Sequence, residues 1–372
     1  MKTKKMSQKF AAIAVTIAIA GSLVAGCGSS TGISESDSSS SDISALASSD
    51  DSSESSSVES SSTAESTANE ESSAVATTLA TEDQLVEPDI EKTEALDTTE
   101  RPQYNGYVTN RAGEQLQIVF FGDSQFDNFR DTSGVVYQIM QYCEANVYNC
   151  AIGGSSASYD KNDNTSTDSW NSLSGVGMSM VATGALNPSY LADYTAYGPV
   201  TDCNFENTDV FVIEYGVNDY LAKHPLHGGT DTDPYSYHGA IDLIVSNLKN
   251  KYPNALYIVC TPTYAFFNGK NIGNLTGDGN ILSNGYATLS DYAGTAKNAA
   301  DKLQVCYFDA YNTMGMDAST QDVYLLDGIH MNDSARHKYA NMLAGIILRQ
   351  IGYSMVKEGT DLDSFDFSTL TR

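Results

Sequence analysis

Short apolar runs alternate with helix-like amphipathic segments after Arg101, and this alternation is the feature that most restricts the fold. Such alternation is typical of βαβ units, whose strands pair in parallel and whose helices cover both faces of the sheet. The sequence therefore predicts an α/β fold, a doubly wound three-layer sandwich with a mainly parallel five-stranded sheet. The predicted strands are 116–121, 146–151, 210–214, 256–260 and 305–308, and the clearest predicted helices are 135–144, 237–251, 289–303 and 333–351.

Three of the predicted strands end in residues that suit acyl-transfer chemistry. Ser124, in a Gly-Asp-Ser tripeptide, follows the first strand and lies where open α/β folds bind ligands. The second strand leads to a pair of glycines that ends at Gly154, and glycine lets backbone amides approach a reacting oxygen. The third leads to Gly-Val-Asn-Asp, in which the Asn218 amide can donate to a developing oxyanion.

A carboxylate and an imidazole lie three residues apart near the carboxyl end of the chain, in the Asp-Gly-Ile-His motif of Asp327 and His330. This spacing lets Asp327 orient the ring of His330, which can then act as a general base toward a serine hydroxyl. Three simpler readings stay open at this point. Gly-Asp-Ser alone is also an ordinary turn sequence, the glycine pair 153–154 could be only a strand-to-helix connection, and Asn218 could be a helix N-cap.

The four motifs occur in the order found in the SGNH hydrolases, also called the GDSL esterase/lipase family, which residues 115–351 resemble. The resemblance implies a flavodoxin-like strand order and an acyl-enzyme mechanism with no metal or organic cofactor. It also implies a role for each matched residue: Ser124 as nucleophile, His330 and Asp327 as its partners, and Gly154, Asn218 and the Ser124 amide as the oxyanion hole.

The sequence departs from the family pattern at Gln125, where the family's short name has Leu. This position is outside the chemistry, so the departure bears on subfamily and substrate rather than on mechanism. Two long segments, 155–209 and 266–287, are expected to shape the site and the substrate preference.

The expected activity is that of a serine esterase acting on short-chain esters, O-acetyl groups above all, carried by carbohydrate or glycopeptide. Loops rich in Tyr, Asn and Asp favour such a substrate over a long-chain lipid. The alternatives are a lipase or lysophospholipase, an O-acyltransferase with the same residues, and a surface protein that binds carbohydrate without turnover.

Other residues with functional potential have simpler readings. His224 and His227 form a His-x-x-His pair, but Pro225 between them predicts a loop, and no Cys or carboxylate lies at zinc-motif spacing. No metal site is therefore predicted. His337 is expected to be partly exposed on the last predicted helix. Trp170, the only tryptophan, could stack on a sugar ring or fill the edge of the core.

The amino terminus has the order of a secretory signal. Four lysines within the first nine residues precede the apolar stretch 10–20, and Leu-Val-Ala-Gly-Cys then ends at Cys27. These last five residues resemble a bacterial lipobox, which implies cleavage of a signal peptide at 1–26 and a lipid on Cys27. The protein is then expected at the extracellular face of the bacterial cell membrane, anchored through that lipid. A plain signal peptide and an uncleaved anchor are the alternatives.

Residues 28–100 contain no aromatic residue and consist mostly of Ser, Thr, Ala, Glu and Asp. Such a segment buries too little apolar surface to offset its ordering entropy, so 27–100 is predicted to be a disordered linker before a hydrolase domain at 101–372. The formal net charge is −27, and acidic residues outnumber basic ones in the folded part as well. This charge argues against nucleic acid as a partner and against electrostatic adhesion to anionic lipid.

The chain has six cysteines, of which five remain once Cys27 is acylated. An odd number excludes complete intramolecular pairing, and the spacing suggests no disulfide framework, so at most one bridge is expected. Cys143 and Cys203 are not clearly placed by the sequence. Three cysteines in or beside the predicted strands are expected as small core residues: Cys150, Cys260 and Cys306.

Overall fold

The computed structural model describes Gly106 and residues 108–163, 169–269 and 275–351. The predicted signal peptide, Cys27 and linker lie outside these residues. The strands are β1 (Gln117–Phe121), β2 (Asn146–Asn149), β3 (Val210–Glu214), β4 (Leu256–Cys260), β5 (Phe266–Asn268), β6 (Thr276–Asp278) and β7 (Cys306–Phe308). The helices are α1 (Ser124–Asp127), α2 (Val135–Tyr142), α3 (Trp170–Leu173), α4 (Gly175–Ala182), α5 (Tyr197–Asp202), α6 (Val217–Leu221), α7 (Tyr237–Lys251), α8 (Leu289–Leu303), α9 (Ala310–Thr313), α10 (Gln321–Tyr324) and α11 (Asp333–Ile351).

Five parallel strands form the main sheet in the order β2-β1-β3-β4-β7. Every residue of the central strand β3 is buried, as expected for a parallel sheet covered on both faces. The strand order is that of flavodoxin-like folds, in which ligands bind beyond the carboxyl ends of the strands. The predicted α/β fold is confirmed.

The longest helices begin and end where the sequence pattern predicts. The helices α7, α8 and α11 match their predicted bounds, and α8 starts with a capping box between Thr288 and Asp291. The helix α2 packs against α11, while α7 packs against α4 and α8. These contacts bury the apolar stripes that made the helices recognisable in the sequence.

Two predicted elements are too long at their carboxyl ends. The second strand ends at Asn149 rather than at residue 151, because the chain turns there toward the glycine pair while Cys150 and Ala151 stay buried. The helix α2 ends at Tyr142 rather than at residue 144, because Glu144 adopts a left-handed conformation with φ of 48°.

The two long segments contain structure that the sequence did not predict. Segment 155–209 contains α3, α4 and α5, and α4 is almost wholly buried. Segment 266–287 contains the antiparallel hairpin of β5 and β6. The side chain of Trp170 lies outside the described part of the chain, so neither reading of that residue is tested.

The cysteines lie mostly in the core. Cys150 and Cys260 are fully buried, as predicted, and burial raises the pKa of the Cys203 thiol to about 12. The prediction for Cys306 is wrong, because this residue is only half-buried on β7, an edge strand. The cysteines with free thiols include Cys150, Cys203, Cys260 and Cys306. Within the described ranges, no helix is both long and apolar enough to cross a membrane.

Candidate active site

The candidate nucleophile lies on a tight turn between β1 and α1. Asp123 is the N-cap of α1, its side chain accepts a hydrogen bond from the Gln125 amide, and Ser124 is the first residue of the helix. The Ser124 side chain therefore lies at the carboxyl end of the central part of the sheet. Its residue is only 3% exposed, so a substrate must bring its carbonyl carbon into a narrow opening.

Asp327, His330 and Ser124 form one hydrogen-bonded chain. The His330 Nε2 atom lies 2.7 Å from Ser124 Oγ, and its Nδ1 atom lies 2.9 Å from Asp327 Oδ2. An ionised carboxylate can only accept, so Nδ1 carries the proton and Nε2 is left to accept from the serine hydroxyl. This is the arrangement that general-base activation of a serine requires.

Asp327 is held in its ionised form. Burial alone would raise the pKa of Asp327, but the hydrogen bond and charge of His330 and the backbone amides of His330 and Ile329 outweigh it and lower this pKa. The two amides donate to Oδ1 at 2.8 and 2.9 Å, and the second oxygen is left for the imidazole. Gly328 makes this loop possible, because its φ is 94° and an added Cβ would lie 2.1 Å from the Phe266 carbonyl oxygen.

The glycine pair after β2 lies beside the same site. Gly154 has a φ of 80°, which few other residues adopt. The amide of its neighbour Gly153 is donated to Asp127 Oδ2 at 2.8 Å and is thereby occupied. Of the two glycines, Gly154 is therefore the better candidate for a donor to substrate.

Asn218 lies in the first turn of α6, whose N-cap is Gly216, so the reading of Asn218 as an N-cap is wrong. The Asn218 Nδ2 atom donates to Asp123 Oδ2 at 3.1 Å and to the Ser155 carbonyl oxygen at 3.2 Å. These contacts bring Asn218 to the two turns that carry Ser124 and Gly154. An Asn side-chain amide has two N–H donors and both are already used, so a substrate oxygen would have to share or replace one of these acceptors.

The profile of the GDSL-like Lipase/Acylhydrolase family matches residues 118–343, which is more than half of the 372-residue chain. The chain belongs to the GDSL-like lipase/acylhydrolase family. It is a serine ester hydrolase, and the matched residues include all of the site described above. A comparison with curated proteins finds no match.

Several solved structures are similar to this hydrolase. A Lactobacillus plantarum protein is 16% identical over 63% of this chain and 97% of its own, with a TM-score of 0.45. A possible lipase from Chitinophaga pinensis is 15% identical over 64% of this chain and 100% of its own, with a TM-score of 0.43. A carbohydrate acetylesterase from Sinorhizobium meliloti is 15% identical over 63% of this chain and 100% of its own, with a TM-score of 0.41.

A buried ion pair that sequence reasoning missed supports the glycine turn of the hydrolase. The Arg130 Nε atom lies 2.8 Å from Asp127 Oδ1, and the other guanidinium nitrogens donate to the Asn149 and Ala151 carbonyl oxygens at 2.9 Å. Burial opposes ionisation of Asp127, but Arg130 and further donors outweigh it and lower the pKa of that carboxyl. The pair therefore fixes the backbone that leads to Gly154, and its three-residue spacing was the available sequence signal.

Two further buried carboxyl groups lie beneath the site. Glu214, the last residue of β3, is fully buried next to Asp123. Burial and then the negative charge of Asp123 raise the pKa of Glu214 well above its ordinary value. Burial and the nearby charge therefore both favour the protonated form of Glu214, while Asp123 Oδ2 accepts from the Asn218 amide.

The histidines outside the site make other contacts. His224 is buried with Nδ1 3.4 Å from Asp219 Oδ1, whereas the His227 ring lies 5.1 Å from the ring of His238. The described residues include no group of three or more His, Cys, Asp or Glu that could hold a metal ion. His337 is exposed on α11, and its Nδ1 lies 3.1 Å from the Tyr142 hydroxyl.

Gln125 is closer to the site than the sequence suggested. Its side chain does not touch the reacting atoms, but it is buried and hydrogen-bonded to the loop that carries His330. Gln125 and the loop that carries His330 are far apart in the sequence, so no local pattern could have revealed this contact.

Proposed function

We propose that this serine ester hydrolase removes short acyl groups, O-acetyl above all, from carbohydrate or glycopeptide through an acyl-enzyme. The observation that carries the proposal is the chain of hydrogen bonds from Asp327 through His330 to Ser124, at 2.9 and 2.7 Å. It supplies an activated hydroxyl with a proton acceptor already in contact.

In the first half of the proposed reaction, Ser124 Oγ attacks the ester carbonyl carbon while its proton moves to His330 Nε2. Gly154, Asn218 and the Ser124 amide donate to the carbonyl oxygen as it becomes negative. The tetrahedral intermediate breaks its bond to the alcohol oxygen, which takes the proton from Nε2 and leaves.

In the second half, water gives a proton to His330 Nε2, and its oxygen attacks the acyl carbon of the acyl-serine. Ser124 Oγ leaves and regains the proton, and the carboxylic acid is released. Neither half requires an electron carrier or a second substrate other than water.

The nearly complete burial of Ser124 and His330, each 3% exposed, favours a small acyl group. Exposed aromatic rings on a segment attached to α1 favour a sugar as the alcohol component. Thr195 Oγ1 donates to Asp127 Oδ1 at 2.6 Å, so the segment that contains Tyr194 and Tyr197 is attached to the last residue of α1. These tyrosines are 40% and 37% exposed, and aromatic faces pack well on the apolar faces of sugars.

The proposed location is the extracellular face of the bacterial cell membrane, with a lipid on Cys27 and residues 27–100 as a linker to the domain at 101–372. The support is the order of lysines, apolar stretch and Leu-Val-Ala-Gly-Cys, followed by a segment without aromatic residues. The proposed membrane contact is made by lipid and not by charge, because the chain is strongly acidic.

The proposal is tested with p-nitrophenyl esters of increasing chain length and with an acetylated oligosaccharide, on the full-length protein and on Ser124→Ala. We expect serine-dependent turnover that is highest on acetate, and release of acetate from the oligosaccharide. Turnover that survives Ser124→Ala would overturn the assignment of the nucleophile. A preference for long acyl chains would instead indicate a lipase.

A further inference from the structure

We propose that Gln125 is a positioning residue that fixes His330 in place relative to Ser124, an inference that rests on the catalytic roles proposed for those two residues. Gln125 follows Ser124 directly in α1, and it is 4% exposed. Its side chain spans from the nucleophile turn to the loop that carries the imidazole.

The side-chain amide of Gln125 bonds the backbone on both sides of His330. Its Nε2 atom donates to the Ile329 carbonyl oxygen at 3.0 Å, and its Oε1 atom accepts from the Met331 amide at 3.4 Å. Ile329 and Met331 are 4% and 1% exposed, so solvent has little access to replace these bonds. One amide group thus satisfies a donor and an acceptor that are both buried.

The opposite side of the same segment pairs with the backbone of residues 324–326. Leu325 and Met331 form an isolated antiparallel bridge, in which the Leu326 amide donates to the His330 carbonyl oxygen at 2.8 Å. The backbone groups of Ile329 and Met331 that meet Gln125 lie on the other side of this short segment. Gln125 therefore holds the side of this segment that does not pair with residues 324–326, together with Arg336, whose Nη1 atom donates to the Met331 carbonyl oxygen at 2.7 Å.

This arrangement links the two reacting groups through a short path. One peptide bond joins Ser124 to Gln125, and two hydrogen bonds join Gln125 to the residues before and after His330. The 2.7 Å contact between Ser124 Oγ and His330 Nε2 is therefore set from both ends. Rates of proton transfer depend strongly on such a distance, and a misplacement of about 1 Å can lower the rate about a hundredfold.

Leucine, the residue in the family's short name, has a similar volume but offers neither a donor nor an acceptor. In Gln125→Leu and Gln125→Met the side chain still fills the space, but the Ile329 carbonyl and the Met331 amide lose their partner. The His330 loop must then move to find other partners. The expected result is a slower reaction with unchanged affinity for substrate.

The test compares kcat and KM for p-nitrophenyl acetate in the full-length protein, Gln125→Met and Gln125→Leu. We expect kcat to fall about tenfold or more with KM close to the wild-type value, since His330 acts in both halves of the reaction. The matched control is Gln138→Met on α2, where a buried glutamine donates to the Ser133 carbonyl oxygen at 3.0 Å and does not contact the His330 loop. The control should lose stability but keep its kcat.

A second variant gives a readout that a purely structural residue would not change. In Gln125→Glu the protonated side chain can still donate to the Ile329 carbonyl oxygen, whereas the ionised side chain cannot. The kcat of Gln125→Glu, divided by that of the wild type at the same pH, should therefore rise as pH falls. If Gln125→Met and Gln125→Leu do not fold, this ratio decides alone.

Three results would contradict the role of Gln125, and a fourth would contradict the proposed function. Folded Gln125→Met with a wild-type kcat, an equal loss of kcat in Gln138→Met, or a flat pH ratio for Gln125→Glu would each overturn the role of Gln125. If Ser124→Ala retains turnover, the proposed function itself fails, and the role of Gln125 fails with it.

Discussion

Asn218 is the member of the proposed oxyanion hole that donates through its side chain. Its amide already donates to Asp123 and to the Ser155 carbonyl oxygen, so it is oriented before substrate arrives. We expect Asn218→Ala to lower kcat about a hundred- to a thousandfold, as loss of one oxyanion donor does elsewhere. Steady-state kinetics on p-nitrophenyl acetate measures this, with thermal unfolding as the control for folding. A folded variant with wild-type kcat would exclude Asn218 from the oxyanion hole.

Glu214 provides a test of the charge state beneath the site. Its folded-state pKa is raised by burial and by Asp123, so the folded protein retains a proton that the unfolded chain loses near pH 4.3. The free energy of unfolding therefore falls as pH rises from about 4.3 toward the raised pKa. The side chain in Glu214→Gln has no such proton to release, so the free energy of unfolding of this variant should not fall in the same way as pH rises.

The measurement is urea unfolding of both proteins across a pH series. The stability of Glu214→Gln relative to the wild type should increase with pH, while its kcat stays near that of the wild type, because Gln has the shape and the charge of protonated Glu214. If the free energies of unfolding of the two proteins change in parallel with pH, Glu214 is ionised in the folded protein.

At the level of single residues, the sequence predicts the members of the site better than their supports. Ser124, Asp327 and His330 are recognisable because each stands in a short motif at the end of a predicted strand or loop. Gln125 and Glu214 are not, because their significance comes from contacts with residues distant in the sequence. Burial of a carboxyl group is a property of the packed structure and has no local signature.

At the level of elements, a helix can be predicted from the sequence when its polar and apolar residues alternate with a helical period. The helix α8 has a polar and an apolar face as well as a capping box, and its predicted bounds are confirmed. The helix α4, Gly-Val-Gly-Met-Ser-Met-Val-Ala, has two glycines and is buried on nearly all sides. A helix that is buried on all sides has no polar face, so its sequence shows no amphipathic period. The sequence therefore predicts this helix only as part of a long connection.

The segment that contains Tyr194 and Tyr197 is the element for which substrate specificity can be tested. If these exposed rings stack on a sugar, Tyr194→Ala and Tyr197→Ala should each raise KM for an acetylated oligosaccharide about fivefold, at about 1 kcal/mol for an aromatic contact. Turnover of p-nitrophenyl acetate should not change, because that ester has no sugar. The matched control is Tyr307→Ala on β7, an edge strand that is not adjacent to β1. Equal effects on both substrates would show that the tyrosines support the fold instead.

At the scale of the whole molecule, charge and tether are expected to act together. The net charge of −27 would repel an anionic membrane surface, and the proposed linker of about 70 residues would span roughly 45 Å as a flexible chain. An enzyme attached in the proposed way would reach substrate some distance from the bilayer without membrane contact through its own surface. A substitution that removes the proposed lipid should therefore change the location of the protein without changing its kcat.

Cys27→Ser tests that separation. Without a thiol at position 27 no lipid can be attached, so the protein should move from the membrane fraction to the soluble fraction when cells are fractionated and probed with an antibody. The kcat on p-nitrophenyl acetate should be unchanged, because residue 27 lies far in sequence from Ser124 and outside the family match at residues 118–343. Labelling with a radioactive fatty acid should be lost at the same time. Membrane association that persists in Cys27→Ser without label would indicate an uncleaved apolar segment as the anchor.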